Sequence, residues 1–187
     1  MSCNNVNTTG STAPGSAEID FYLAVAKGDF TGYTKVNKFG YNDSIGSGSF
    51  EVIWETGGQY PYQSTAVTVD VVSDDANDDV AGTGARTLRI QGLDGSYNLA
   101  EETVDMDGTT TVTTTQTFLR VFRMSVETAG TSGNNEGDIS ATYTGGVDVA
   151  ATITAGNGQT LMAVYTIPAG KTGYVVAMNF GSGKDQE

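Results

Sequence analysis

Apolar and polar positions alternate with a period of two along much of this chain, and the alternating runs are closed by Gly, Asp and Asn. Ala66 to Val72 shows the pattern most cleanly, with Val67, Val69 and Val71 on one face and Thr68 and Asp70 on the other, as in a strand buried on one side. Arg86 to Gln91 repeats it, placing Leu88 and Ile90 inward and Arg86, Arg89 and Gln91 toward solvent. Asp94-Gly95 then predicts a hairpin with a two-residue turn, because both residue types tolerate the positive φ such turns need. Tyr97 to Met106 is the return strand. A second Asp-Gly, Asp107-Gly108, precedes the threonine run Thr109 to Thr117. Phe118 to Val126 is the most apolar run so far and is expected at the centre of a sheet.

Further strands are expected on the same grounds. Phe21 to Ala26, closed by Lys27-Gly28-Asp29, and Tyr33 to Phe39 predict a short hairpin. Ser49 to Trp54 is stopped by Gly57-Gly58, and Asp138 to Tyr143 and Val147 to Thr152 flank Gly145-Gly146. Gly130 to Gly137 is a loop by composition. Thr160 to Ile167 and Thr172 to Phe180 make a last hairpin across Pro168 to Lys171. Strands at short spacing without a helical period indicate an all-β fold, an antiparallel β-sandwich or jelly-roll-like single domain over 18–187. Residues 1–17, mostly Asn, Thr, Ser, Gly and Ala, carry too little apolar area to offset the entropy of ordering and are expected to be a flexible N-terminal arm.

Charge narrows the partners. Nine Lys and Arg stand against 22 acidic residues, a formal charge of -13 in 187 residues, which repels phosphate backbones and argues against direct nucleic-acid binding. Cys3 is the single cysteine, so no internal disulfide and no cysteine metal cage is expected. The opening residues have no basic stretch or apolar core of a signal peptide, and no run approaches a membrane span. A soluble chain made in the cytoplasm is the expectation.

Chemistry is scarce. The chain has no histidine, which removes Ser-His-Asp and Cys-His nucleophiles, imidazole acid/base work and histidine metal ligands. Glu51, Glu55, Glu101, Glu102 and Asp105 remain as carboxylates of the type that flank a glycosidic bond, although 22 acidic residues supply pairs by accident. Asp75, Asn77 and Asp79 have the alternate-oxygen spacing that opens a calcium loop, but the glycine and the closing Glu of that motif are missing. A solvent-facing acidic loop from Asp74 to Asp79, with charges dispensable for folding, is the expectation. Gly82-Thr83-Gly84 lacks the third glycine of a phosphate cradle and reads as a turn. Trp54, Tyr60 and Tyr62 gather around Gly57-Gly58 and Pro61, as a sugar platform, a piece of core or an interface. No cofactor and no catalytic residue is expected.

Several pieces carry a resemblance: Val52-Ile53-Trp54-Glu55-Thr56-Gly57-Gly58, Ala81-Gly82-Thr83-Gly84-Ala85-Arg86-Thr87 leading to Gly92-Leu93-Asp94, and Glu102-Thr103-Val104-Asp105-Met106-Asp107-Gly108-Thr109. Thr128-Ala129-Gly130-Thr131-Ser132-Gly133 and Ile167-Pro168-Ala169-Gly170-Lys171-Thr172-Gly173-Tyr174 come after them. Through these turns and strand edges the chain, from Trp54 to about Phe180, resembles small β-rich structural proteins of marine and other tailed bacteriophages. Such proteins often continue past the final hairpin into one or two more strands, whereas this chain stops at Glu187. The resemblance implies a virion component made in the host cytoplasm, a capsid decoration (cement) protein that binds and stabilises the head shell, with no enzymatic activity. It implies the major capsid protein or other virion proteins as partners and a homotrimer as the assembly, with Trp54, Tyr60 and Tyr62 as interface candidates. The alternative is a carbohydrate- or receptor-binding β-sandwich module of a tail or fibre, and a secreted glycosidase is a third reading.

Overall fold

The structure, a computed structural model, describes residues 21–46, 48 and 50–183. The arm expected over 1–17 lies outside the described residues. The chain divides into two units, Met1–Asn37 and Lys38–Glu187.

In the first unit, Phe21–Lys27 is a helix, α1, where the sequence pattern predicts a strand. A six-residue apolar run is compatible with either conformation. Leu23, Ala24, Ala26 and Lys27 are good helix formers, and Gly28 supplies the stop. Gly28 adopts φ 80°, its N–H donates to the Val25 carbonyl, and the Asp29 N–H donates to the Ala24 carbonyl, the paired bonds of a Schellman cap. Phe21 packs its ring on Phe30 and Tyr33, with centroids 5.2 and 5.9 Å away. The predicted hairpin partner, Tyr33 to Phe39, forms no regular element.

The second unit is the β fold. Its strands are β1 (Val69–Ser73), β2 (Ala85–Leu93), β3 (Leu99–Asp105), β4 (Val112–Thr113), β5 (Arg120–Ala129), β6 (Ile139–Tyr143) and β7 (Val149–Ile153). They build two antiparallel sheets in the orders β4-β1-β6-β7 and β3-β2-β5. Val69, Val71, Ile139, Ala141 and Ile153 from the first sheet and Leu88, Ile90, Val104, Val121 and Met124 from the second belong to one buried core. This is the expected all-β sandwich. Each fully buried Leu or Ile contributes roughly 1.5–3 kcal/mol by leaving water.

The alternation predicted for β1 and β2 holds, since Val69, Val71, Leu88 and Ile90 are all fully buried. Other expectations need correction. The apolar strand β5 is at the edge of its sheet, and the mixed strand β2 is central. Residues 158–160 cover the far side of β5: Thr160 N–H donates to the Met124 carbonyl and Val126 N–H to that of Gly158. Gly92 permits the irregular β2–β5 register beside it, because a Cβ there would fall 1.9 Å from the Arg120 carbonyl oxygen. The turn at Asp94-Gly95 is longer than two residues, as Leu93 pairs with Leu99. The Asp94 carboxylate accepts the N–H groups of Ser96 and Asn98, and Tyr97 rather than Gly95 takes the positive φ, 61°.

The final hairpin is also corrected. The backbone at 160–163 bonds Met124, Ile53 and Tyr41 instead, so the predicted partner is taken, and Thr172 to Phe180 pairs with no described strand and is exposed throughout. Of the strand expected over Ser49 to Trp54, whose first residue lies outside the described residues, Phe50 to Trp54 shows one bridge, Trp54 with Met162.

Candidate functional site

The aromatic loop is assembled by two carboxylates. Glu51 accepts the backbone N–H groups of Gly46 and Gly58 at 3.1 and 3.0 Å and the amide of Asn42 at 3.2 Å. The Gly58 N–H, followed by that of Gly46, holds the Glu51 carboxyl below its ordinary range. Glu55 accepts the N–H groups of Leu161 and Thr154 and the Asn157 amide, at 2.9, 3.3 and 2.9 Å. Together they pin the chain on either side of Trp54.

Trp54 and Tyr60 are buried in the sandwich's own core, and their rings lie 5.3 Å apart. The Trp54 indole N–H donates to the Gly57 carbonyl at 2.7 Å. The Tyr60 and Tyr143 hydroxyls meet at 2.8 Å, and the Val121 N–H donates to both. Burial, then the neighbouring Tyr143, pushes the Tyr60 phenol above its ordinary range, and burial does the same to Tyr143. As interface candidates, Trp54 and Tyr60 are therefore corrected: neither has surface to offer a partner. A lone Trp in an apolar run carries the same sequence signal for core and for contact.

Tyr62 is different. It is 63% exposed and covers Arg120, whose guanidinium carbon lies 5.0 Å from the ring centre. Arg120 is itself buried, with Nη1 donating to the carbonyls of Gln63 and Leu119 at 2.6 Å each. Among the described residues its Nε has no hydrogen-bond partner. Among the described residues the one ion pair found is Arg89–Glu101 at 2.6 Å, so carbonyl dipoles and the Tyr62 ring offset the Arg120 charge. The sequence signal for this residue is a cation inside the most apolar run, Phe118 to Val126.

The acidic loop is not the solvated linker predicted. Asp78 is fully buried, and its carboxylate accepts Ser73 Oγ at 2.6 Å and the N–H groups of Ala85, Glu136 and Gly137 at 2.7, 2.9 and 3.0 Å. It joins the end of β1, the start of β2 and the loop before β6. Gly84 is required here, because a Cβ on it would stand 2.1 Å from Asp78 Oδ1. The calcium candidates serve the loop's own backbone: Asp75 accepts the Asn77 N–H and Asp79 that of Ala81, both at 2.8 Å, while the Asn77 amide donates to Glu136. Among the described residues no group of three or more His, Cys, Asp or Glu side chains is placed to hold a metal ion.

Of the other candidate carboxylates, Glu101 and Glu102 are engaged locally. Glu101 pairs with Arg89, whose hydrogen bond lowers the Glu101 carboxyl. Glu102 accepts the N–H groups of Thr115 and Gln116. Asp105 is exposed on β3. A glycosidase acid needs a raised pKa, and Glu51 and Glu101 are shifted the other way.

Fold and site together define an antiparallel β-sandwich whose acidic side chains mostly brace its own loops. No protein-family model, no curated protein and no solved structure matches the chain. No helix among the described residues is long and apolar enough to cross a membrane.

Proposed function

We propose that this protein is a non-enzymatic structural subunit of a tailed-phage virion, a capsid decoration protein that binds the head shell as a homotrimer. The observation that supports it best is the division of labour in the second unit. Glu51, Glu55, Glu102 and Asp78 are consumed in bracing loops, whereas Phe39, Tyr41, Ile45, Phe50, Val175 and Phe180 are exposed on segments with no regular structure. A surface of that kind suits contact with other chains better than catalysis. Burial of Trp54 and Tyr60 weighs against the alternative, a sugar-binding module of a tail or fibre, since the platform it needs is spent in the core.

The test is the copy number of this chain in purified particles, with co-sedimentation of the isolated protein on undecorated capsids and survival of those capsids on heating. The reading expects hundreds of copies per particle, binding to the shell and a higher rupture temperature. A handful of copies, or particles with normal heads that fail to adsorb to cells, would replace it with the receptor-binding reading.

A further inference from the structure

Residues 171–183 are exposed at every position, and among the described contacts their backbone makes one hydrogen bond, Lys171 N–H to the Pro168 carbonyl. Yet Tyr174-Val175-Val176-Ala177-Met178-Asn179-Phe180 is an uncharged run rich in the β-branched and aromatic residues that strands favour. In extended form it places Tyr174, Val176, Met178 and Phe180 on one face, now 79%, 56%, 64% and 79% exposed. That is the signature of a half-buried strand without a sheet to bury it.

The same chain has a sheet edge without a strand. In β3, the bonds Met106 N–H to the Arg86 carbonyl and Asp94 N–H to that of Asn98 set the even positions toward β2. The N–H and C=O groups of Leu99, Glu101, Thr103 and Asp105 therefore point away from the sheet, and none is bonded to another described backbone segment. The competing edges are covered or short. Residues 158–160 lie on β5, β4 has two residues, and β7 has five against the seven of β3. Donor run and acceptor strand match at seven residues each, about 24 Å of extended chain.

We infer that the segment from Thr172 to Gly181 is an exchanged arm, which adds as an antiparallel or parallel edge strand to β3 of a second copy of this chain. Two observations select a second copy as the occupant. The Ala169 N–H donates to the Tyr97 carbonyl, so the arm starts beside its own β3 and yet stays exposed throughout, which leaves both arm and edge open to a neighbouring copy placed about an axis there. A closed ring, in which every arm is used and every edge covered, is then the stable arrangement. The charges also agree: β3 carries Glu101, Glu102 and Asp105, while 171–183 contains no acid and one lysine, Lys171. In a chain of net charge -13, such a stretch approaches an acidic edge of its own kind without like-charge repulsion.

The inference concerns the isolated protein and does not rest on the virion reading, so binding or failure to bind capsids leaves it untouched. The test measures mass in solution by light scattering, with amide hydrogen exchange, for the full chain, a chain ending at Lys171, and the Val176→Asp variant. The full chain should be a closed oligomer at tens of micromolar. Both altered chains should be folded monomers by circular dichroism. The amides of Leu99, Glu101, Thr103 and Asp105 and those of 174–180 should be protected at least tenfold in the full chain and released together in the variants. A monomeric full chain overturns the inference, whether its arm exchanges freely or is protected on its own β3. So does an oligomer that persists without the arm.

Discussion

The loop from Asp74 to Asp79 and the segment 171–183 reverse the usual relation between polarity and burial. The first is the most acidic stretch of the chain, and it holds a fully buried carboxylate. The second holds a seven-residue run with no charge, and all of it is in water. The difference lies in what the neighbouring backbone provides. Asp78 meets three N–H groups and a hydroxyl from three parts of the chain, enough to replace its hydration. The apolar run does not meet its predicted hairpin partner, because residues 160–163 are already bonded to Met124, Ile53 and Tyr41. Burial depends on satisfied backbone geometry as much as on side-chain polarity.

The most severe test of this contrast is Asp78→Ala, which strands three buried N–H donors and one hydroxyl. Loss of about 4 kcal/mol is expected from such a network, measured as a fall in the urea midpoint. A change below about 1 kcal/mol would mean that the loop is solvated after all. Gly84→Ala attacks the same contact from the other side, forcing a Cβ against Asp78 Oδ1, and should cost about 2–3 kcal/mol in the same assay.

Lys38 supplies a half-buried charge with poorer compensation than Asp78. Its ammonium donates to the Phe122 carbonyl and lies 5.8 Å from the centre of the Phe122 ring. Burial, and then the nearby Arg123, lower its pKa from 10.5 to about 8. The unfolded chain thus binds more protons than the folded one between those values, and stability rises with pH across that window. Below about pH 8 both states are protonated and the contribution is flat. Lys38→Met should abolish the rise, worth on the order of 1 kcal/mol after solvent screening. Urea midpoints across the window for both proteins decide it, and a wild-type profile no steeper than the variant's would place the ammonium in water.

Smaller effects are expected at the exposed acids and in the arm. Asp75→Asn with Asp79→Asn should move stability by less than about 0.5 kcal/mol, since the amide oxygens still accept the same N–H groups. Calcium should add nothing to the melting temperature of either form, and a calcium-dependent rise lost in the double variant would establish a metal loop. Removing residues beyond Lys171 should change the monomer's stability least, by less than about 0.3 kcal/mol at high dilution, because the segment is exposed throughout. A large loss there would show that the arm packs on its own domain.

Local pattern was enough to establish the class of fold and the strands with the cleanest alternation. A period of two is a local property of the backbone, so Val69, Val71, Leu88 and Ile90 declare their faces without reference to the rest of the chain. Features that depend on partners distant in sequence were settled only by the folded chain. Phe21 to Ala26 is apolar in either conformation, and the Gly28 cap turned it into helix. Trp54 and Tyr60 read equally as contact or core until Tyr143 and Val121, over sixty residues away from Tyr60, closed around the phenol. Asp78 looks like its acidic neighbours in the sequence, and only Glu136 and Gly137, nearly sixty residues on, distinguish it. The run Tyr174 to Phe180 carries every local mark of a strand. Strand pairing needs a second edge, and whether that edge is free is a property of the whole sheet.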